Sequence, residues 1–321
     1  MPPAAPPRVP GNAKPLKALF DVPAPAKLNL FLHVVGRRAD GYHLLQSPFL
    51  LIDWADRLHF ERRGDGVLHR HDLGPALPND DLCLRAARAL QTASGTALGA
   101  DIHLDKQVPM GAGMGGGSSD AATTLLALNR LWGLRWPRTR LADIGLSLGA
   151  DLPFFIGGRN AFVEGIGERL TPIELSPAWY AVLKPPGSLD TRDIFAHPAL
   201  VRDTEAVIVT GYLEKAQGRL GWQEGRKIPQ WVSGHGEFGK NDLQIPAFDR
   251  CPEAATAARW LEARFGNSRM TGSGSAVFAR AGTDDSPTAT LSEEDLQGLP
   301  TGWVGRMCRS LARHPLLDWA D

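Results

Sequence analysis

Cysteine is scarce in this sequence, with only Cys83, Cys251 and Cys308 in a chain of 321 residues. The three lie far apart and none forms a CxxC pair. Such a set argues against a disulfide framework and against a structural zinc site. We therefore expect reduced thiols in a cytoplasmic protein.

The chain also lacks an excess of charge, because 35 Lys and Arg residues balance 35 Asp and Glu residues. A protein that binds nucleic acid usually gathers a basic excess on one face. No stretch approaches the roughly 18 consecutive apolar residues of a membrane span, and the opening MPPAAPPRVPG lacks the apolar core of a signal peptide. These absences predict a protein without nucleic-acid or membrane partners, present as a monomer or weak homodimer.

The remaining composition is that of an ordinary globular protein, with 43% apolar and 22% charged residues. Residues 1–16 are rich in proline and predict a disordered extension. Beyond them, strand and helix patterns mix without regular βαβ alternation, which favours an α+β fold. We predict an N-terminal domain over 17–175, a C-terminal domain over 176–321, and a loose helical insert or long loop at 203–240.

Hydrophobic periodicity predicts the individual elements. Helices are predicted at 80–92, with two acidic residues in the first turn, and at 118–132, 140–148, 253–265 and 288–298. Strands are predicted at 27–35, 49–53, 56–61, 101–104, 160–165 and 180–184.

The most informative segment is a glycine cluster at 111–117, where five of seven residues are glycine. Glycines let the backbone adopt positive φ and approach a ligand closely. The cluster runs directly into the helix predicted at 118–132, which opens on Ser-Ser-Asp, so backbone N–H groups and the helix dipole converge on one point. This arrangement predicts an anion site suited to phosphate.

Several well-known phosphate loops do not match this cluster. No lysine follows the glycines, which excludes the GxxxxGK[ST] loop. The cluster satisfies GxGxxG, but the acidic residue that a dinucleotide fold needs about 20 positions later is absent. The HRD and DFG sequences of protein kinases are absent as well.

The string PMGAGMGGGSSDAA at 109–122 resembles the ATP-phosphate loop of the GHMP kinases, in the form found in their diphosphocytidyl-methylerythritol branch. Three other stretches resemble the same family in the expected order: PAKLNL at 25–30 followed by DGYH at 40–43, GADLPFF at 149–155, and MTGSGS at 270–275. The resemblance extends from about residue 20 to the C-terminus. It departs from the family at Arg192, where many relatives have proline, and at Met114, where leucine is usual.

The resemblance implies a two-domain fold, with an N-terminal domain like domain 2 of ribosomal protein S5 and a ferredoxin-like C-terminal domain. It also implies ATP with Mg²⁺ and the substrate 4-diphosphocytidyl-2-C-methyl-D-erythritol, which would be phosphorylated on its 2-hydroxyl in the non-mevalonate route to isoprenoid precursors. The residues expected to bind the phosphates are Pro109, Gly111, Gly113, Gly115, Gly116, Gly117, Ser118 and Ser119, with Ser119 also as a metal ligand.

The resemblance further implies a catalytic pair, Lys27 and Asp151. Phosphoryl transfer needs an acceptor hydroxyl placed in line and relieved of its proton. Asp151 would accept that proton as a base or orient the hydroxyl, and Lys27 would stabilise developing charge. Taken alone, Asp151 is equally well explained as a helix cap or turn residue, whereas for Lys27 alone a solvated strand end is the favoured interpretation.

The residues that match the substrate-binding positions of the family lie in two separate parts of the sequence. Tyr42 and Phe195 would sandwich the pyrimidine, His43 would hydrogen-bond it, and Asn29 and Thr191 would also contact substrate. Without the resemblance, core packing is the favoured explanation for Tyr42 and Phe195, and a surface turn for His43. Two alternatives stay open: another GHMP kinase that acts on homoserine, mevalonate or a sugar, and a nucleotide-binding regulator without turnover.

Overall fold

The computed structural model of the chain describes residues 16–207, 239–283 and 286–320. The predicted N-terminal extension lies almost entirely outside these ranges, and so does most of the insert predicted at 203–240. The strands are β1 (Ala18–Asn29), β2 (His33–Arg37), β3 (His43–Arg63), β4 (Leu68–Asp72), β5 (Gly99–Asp105), β6 (Ala161–Gly165), β7 (Arg169–Pro172), β8 (Ala178–Lys184), β9 (Arg269–Met270), β10 (Val277–Thr283) and β11 (Val304–Arg309). The helices are α1 (Leu82–Ser94), α2 (Gly116–Leu131), α3 (Arg138–Leu148), α4 (Leu152–Gly157), α5 (Thr191–Ala196), α6 (Gln244–Arg250), α7 (Pro252–Phe265) and α8 (Glu293–Gln297).

The first sheet has seven strands and is organised around β3. Its order is β4-β5-β3-β6-β7, and β1 and β2 also pair with β3. One face packs against α1 and α2, where strand residues such as Phe60 and Ile102 join Leu90 and Leu125 in a single buried cluster. Because side chains alternate along a strand, the neighbouring residues point to the opposite face.

The second sheet has four antiparallel strands in the order β11-β8-β10-β9. Helix α7 covers it with small buried residues, among them Ala254 and Ala257. The two sheets lie on either side of position 175 in the sequence, but the division into two domains stays a prediction. Within the described ranges, no helix is both long and apolar enough to cross a membrane. The cysteines are buried free thiols, as the sequence predicts.

Two strand predictions are wrong in their boundaries. The segment 27–35 is not one strand, because β1 ends at Asn29 and β2 begins at His33. The segments 49–53 and 56–61 belong to one strand, β3, with no turn between them. The predicted break lies between Asp53 and Asp56, but the buried carboxylate of Asp56 accepts hydrogen bonds from the backbone N–H groups of Gln107 and Val108 at 2.6 and 2.7 Å.

The helix starts also differ from prediction. Helix α1 has no acidic residue in its first turn, because Asp81 is the N-cap and accepts a hydrogen bond from Leu84 N at 3.1 Å. Helix α2 begins at Gly116, after Gly115 in the left-handed conformation, and no side chain caps it. The helix predicted at 288–298 is only the five residues of α8. The elements predicted at 101–104, 140–148, 160–165, 180–184 and 253–265 are confirmed to within two residues.

Candidate active site

The glycine loop between β5 and α2 takes a conformation that requires glycine. Gly111, Gly113 and Gly115 have φ of 60°, 71° and 71°, where a side chain causes strain. A Cβ on Gly113 would lie 2.3 Å from the carbonyl oxygen of Thr271, and one on Gly115 would lie 2.9 Å from Phe155. The loop is therefore a close-fitted backbone surface that leads into the N-terminus of α2.

The loop that contains MTGSGS braces the glycine loop, as predicted. The backbone N–H groups of Ser275 and Ala276 donate to the carbonyl oxygens of Gly111 and Ala112, both at 3.2 Å. The hydroxyl of Thr271 lies 3.4 Å from the carbonyl oxygen of Gly113. These contacts join the second sheet to the phosphate loop.

Lys27 and Asp151 are brought together at the other side of this loop. Lys27 Nζ lies 3.8 Å from Asp151 Oδ2, 2.5 Å from Asn29 Oδ1 and 4.4 Å from the centre of the Phe49 ring. The Lys27 side chain is almost fully buried, whereas that of Asp151 is 32% exposed. Asp151 is the N-cap of α4 but makes no capping hydrogen bond with its side chain, so its carboxylate is available to a ligand.

Burial lowers the pKa of Lys27 from its usual value, and the charge of Asp151 offsets part of that effect. The backbone also fixes this lysine, since its N–H donates to Met114 O at 2.9 Å. Lys27 is therefore not the solvated strand end that its position in the sequence, taken alone, favoured.

A second buried charge cluster supports the start of α2. Lys106 contacts Asp56 Oδ2 and lies 2.7 Å from Asp120 Oδ2. Burial and the nearby charge of Asp56 raise the pKa of Asp120. Asp120 Oδ1 is buried and has no hydrogen-bond partner among the described residues. Sequence reasoning missed this cluster, although the lysine stands three positions before the Pro-Met-Gly motif.

Two residues predicted to contact the substrate, Asn29 and Thr191, lie in polar surroundings. The backbone N–H of Asn29 donates to Thr271 Oγ1 at 2.9 Å, and its Nδ2 donates to Ser47 Oγ at 2.8 Å. Thr191 Oγ1 lies 2.7 Å from Ser273 Oγ. Asn29 and Thr191 therefore both contact the loop that contains MTGSGS. Because this loop also contacts the glycine loop, it connects the glycine loop to the residues predicted to bind the substrate.

The predicted base-binding residues are arranged around His43. Its ring stacks on Phe195, with centroids 4.9 Å apart and planes at 20°, while Tyr42 is 61% exposed. Arg202 Nε donates to His43 Nε2 at 3.2 Å, and Arg202 Nη2 donates to the carbonyl oxygens of Phe195 and His197, both at 3.1 Å. Burial, then the charges of Arg202 and Arg37, lower the pKa of His43. Sequence reasoning missed Arg202.

These features surround one cavity of about 610 Å³. Predicted site residues that line it are Lys27, Asn29, Pro109, Gly111, Gly113, Gly115, Gly116, Gly117, Ser118, Asp151, Thr191 and Phe195. Three predicted residues are not in this lining: Ser119, Tyr42 and His43. Ser119 is fully buried, and its hydroxyl donates to the carbonyl oxygen of Pro25 at 2.7 Å.

A glycine loop at a helix N-terminus beside a lysine–carboxylate pair is an arrangement suited to phosphoryl transfer, and residues 81–159 match the GHMP kinase N-terminal domain. The fold agrees: a mevalonate kinase from Methanococcus jannaschii superimposes with a TM-score of 0.60 at 13% identity, over 92% of this chain and 98% of that one. The fold and the site thus define a GHMP kinase, which is an enzyme.

Relatives with higher sequence identity show which branch of the GHMP kinases this chain belongs to. The chain is 62% identical to the 4-diphosphocytidyl-2-C-methyl-D-erythritol kinase of Methylibium petroleiphilum, over 95% of this chain and 99% of that protein. It is 54% identical to the enzyme of the same name from Paracidovorax citrulli, with coverage of 95% and 99%. A solved structure of a 4-(cytidine 5'-diphospho)-2C-methyl-D-erythritol kinase is 33% identical, with a TM-score of 0.70 over 91% of this chain and 98% of that one. This chain belongs to the 4-diphosphocytidyl-2-C-methyl-D-erythritol kinase family.

Proposed function

We propose that this enzyme transfers the γ-phosphoryl group of ATP to the 2-hydroxyl of 4-diphosphocytidyl-2-C-methyl-D-erythritol, in the non-mevalonate route to isoprenoid precursors. The observation that carries the proposal is the position of the Lys27–Asp151 pair. The pair lines the same cavity as the glycine loop and lies 3.8 Å apart. A phosphate donor on the loop and a hydroxyl on the pair would therefore be neighbours.

The glycine loop fits a chain of phosphates. Its left-handed glycines leave no Cβ between backbone and ligand, and the N-terminus of α2 adds the positive end of a sixteen-residue helix dipole. Bound ATP supplies the phosphoryl group, and Mg²⁺ neutralises the charge that builds up on its oxygens. Pro109 and Met110 begin the loop and line the same cavity.

The metal would be held mainly by phosphate oxygens, with one or two from the protein. Ser118 and Asp120 line the cavity, and Asp120 Oδ1 has no hydrogen-bond partner among the described residues. Ser119 also stays a candidate from the sequence, but its hydroxyl is buried against Pro25. We favour Ser118 and Asp120 as the protein ligands.

Asp151 would accept the proton of the acceptor hydroxyl, since its carboxylate is partly exposed to the cavity and is not used as a helix cap. Lys27 would stabilise the alkoxide that develops, and Asn29 holds its ammonium group at 2.5 Å. The Lys27 end of the pair is almost fully buried, and burial makes its charge interaction with Asp151 stronger than it would be in water.

The cytosine would bind near Phe195, with Tyr42 as the second stacking surface. Because Arg202 donates to Nε2 of His43, the proton of the neutral ring is on Nδ1, which makes that atom a hydrogen-bond donor to a base. Thr191 and Ser273 would hold the part of the substrate between the base and the reacting hydroxyl.

Composition supports the remaining expectations. With a net charge of zero and reduced buried thiols, we propose a cytoplasmic enzyme without nucleic-acid or membrane partners, present as a monomer or weak homodimer. Light scattering coupled to size exclusion would measure the oligomeric state.

A coupled ADP-release assay tests the function. The purified full-length chain receives Mg-ATP with 4-diphosphocytidyl-2-C-methyl-D-erythritol, homoserine or mevalonate in parallel, and NMR of the product locates the new phosphate. Turnover with the cytidyl acceptor alone, with phosphate on the 2-hydroxyl, is expected. Preference for another acceptor would contradict the substrate, and no turnover with any acceptor would indicate a nucleotide-binding regulator.

A further inference from the structure

Far along the first sheet from the catalytic pair, two neighbouring strands carry histidines on the face away from the helices. Strands β4 and β5 pair in parallel, with His69 opposite Asp101 and His71 opposite His103. Ile102 points the other way, into the core below α1 and α2. The four polar side chains therefore share the outer face of the sheet.

Three of these side chains place their ligand atoms close together. His71 Nε2 lies 2.9 Å from Asp101 Oδ1, and His69 Nδ1 lies 3.7 Å from the same oxygen. All three ligand atoms are within 4.8 Å of one another. Around tetrahedral zinc, with bonds of about 2.0–2.2 Å, neighbouring ligand atoms are about 3.3–3.6 Å apart. Small side-chain rotations would therefore reach that geometry.

Neighbouring groups already restrict the carboxylate and one of the rings. Arg63 Nη1 donates to Asp101 Oδ2 at 2.8 Å, which leaves Oδ1 facing the histidines. Asp65 pairs with the same guanidinium at 2.6 Å and balances its charge. The His103 ring stacks on His71, with centroids 4.5 Å apart. Supporting contacts of this kind orient the ligands of metal sites.

We propose that His69, His71 and Asp101 form a surface site for Zn²⁺ or a similar borderline divalent cation. Two imidazole nitrogens and one carboxylate oxygen are a ligand set that zinc accepts, and a water molecule would complete the tetrahedron. In the metal-free chain, the hydrogen bond between His71 and Asp101 takes the place that the ion would occupy.

The site would also act on the nucleotide side of the cavity. Between the two histidines, Arg70 pairs with Asp72 and with Asp81, at 2.6 and 2.8 Å, and donates to the carbonyl oxygens of Leu77 and Pro78. Leu77, Pro78 and Asp81 line the cavity. An ion that fixes β4 to β5 would therefore brace this wall.

Isothermal titration of Zn²⁺ alone into the untagged full-length chain tests the site. We compare the wild type with H69A/H71A, with D101N, and with the control His59→Ala, which removes a histidine from β3 outside the cluster. One site is expected in the wild type and the control, weakened at least about tenfold in the two cluster variants. No binding by the wild type, or equal binding by H69A/H71A, would overturn the proposal.

A second measurement separates histidine ligation from an unspecific carboxylate contact. The charged and titratable groups in and beside the cluster are His69, His71, Asp101, His103, Arg63, Asp65 and Glu61, with His59 opposite His103 on β3. Because imidazoles bind metal only when deprotonated, affinity should fall at least about tenfold between pH 7.5 and 5.5. Unchanged affinity would contradict the assignment. A circular dichroism spectrum and a thermal midpoint of H69A/H71A that match the wild type, both measured without added metal, would show that the variant is folded.

Discussion

The glycine-loop end of the cavity is built from backbone, whereas the acceptor end is built from side chains that separate segments bring together. At the first end, positive φ and a contact with Thr271 O leave no room for a side chain on Gly113. At the other end, Lys27 and Asp151 meet across the fold. Binding of phosphate should therefore depend on backbone shape, and catalysis on a few side-chain atoms.

The largest effect is expected at the acceptor end. Asp151→Asn keeps the shape of the side chain but removes the proton acceptor, so kcat should fall by about 10²–10⁴-fold, with the KM for ATP nearly unchanged. Steady-state kinetics would measure both constants. Asp143→Asn, on the exposed side of α3, is the matched control and should behave as wild type. If Asp151→Asn instead weakened ATP binding and left kcat unchanged, the proposed difference between the glycine-loop end and the acceptor end would be contradicted.

The next effect is expected at the glycine-loop end. Gly113→Ala forces a side chain into a left-handed position and against Thr271 O, at a cost of about 1–3 kcal/mol. The thermal midpoint should therefore drop. A loop that relieves this strain would also leave its phosphate-binding shape, so the KM for ATP should rise, by a factor of about ten for every 1.4 kcal/mol of binding free energy that is lost.

The control for that variant lies four residues later. Gly117 is inside α2, and the nearest atom to an added Cβ would be Leu82 Cδ1 at 3.8 Å. Gly117→Ala should keep or slightly raise the thermal midpoint, because the residue lies in the first helical turn and the added Cβ meets no atom closer than 3.8 Å. Equal destabilisation by both variants would contradict a special role for the left-handed glycines.

A smaller and pH-dependent effect is expected around His43. In the wild type its lowered pKa keeps the ring neutral as pH falls through its usual value of 6.5, so the KM for the cytidyl substrate should rise only at lower pH. Arg202→Gln removes one of the charges that lower this pKa. It also removes the hydrogen bond to Nε2 that keeps the proton of the neutral ring on Nδ1. Its KM should be several-fold higher, and the rise should begin at higher pH.

Arg202→Lys separates charge from geometry. It keeps the positive charge, so the onset of the pH effect should stay near that of the wild type. Lysine lacks the guanidinium group, whose separate nitrogens reach both His43 and the carbonyl oxygens of Phe195 and His197. The KM for the cytidyl substrate should therefore stay above the wild-type value. A KM profile identical to wild type in both variants would exclude Arg202 as a positioning residue.

The smallest effect distinguishes two neighbouring serines. Ser118→Ala should raise the Mg²⁺ concentration needed for half-maximal activity a few-fold, with stability unchanged. Ser119→Ala should instead lower the free energy of unfolding by about 1 kcal/mol, because it removes a buried hydrogen bond. A magnesium titration and chemical denaturation of both variants would test this. The reverse outcome would make Ser119 the metal ligand.

The two ends also differed in how well the sequence predicts them. The glycine loop and α2 depend on local properties, positive φ and helix propensity, so the motif predicted a phosphate site by itself. Even there, the helix was predicted to start at Ser118, two residues too late, because its N-terminus is set by Gly115 in the left-handed conformation and not by the Ser-Ser-Asp side chains. At the acceptor end, only the family resemblance connected Lys27 to Asp151.

Arg202 and Asp56 show what single-sequence reasoning could not reach. Asp56 was predicted as the first residue of a separate strand, and nothing local indicated that β3 would run through it and bury it against Lys106. Arg202 lies in an unpatterned segment, and its partner His43 is 159 residues away. Such contacts are set by tertiary packing, which overrides local propensity.

The measurement that tests the comparison most directly is equilibrium binding of a fluorescent ATP analogue to Asp151→Asn and Gly113→Ala, beside turnover of each variant. The account predicts a crossed result: Asp151→Asn binds nucleotide no more weakly than wild type but turns over very slowly, while Gly113→Ala binds weakly. It also predicts that saturating ATP restores much of the kcat of Gly113→Ala. Equal losses of nucleotide affinity in the two variants would contradict a cavity with separate phosphate and acceptor ends.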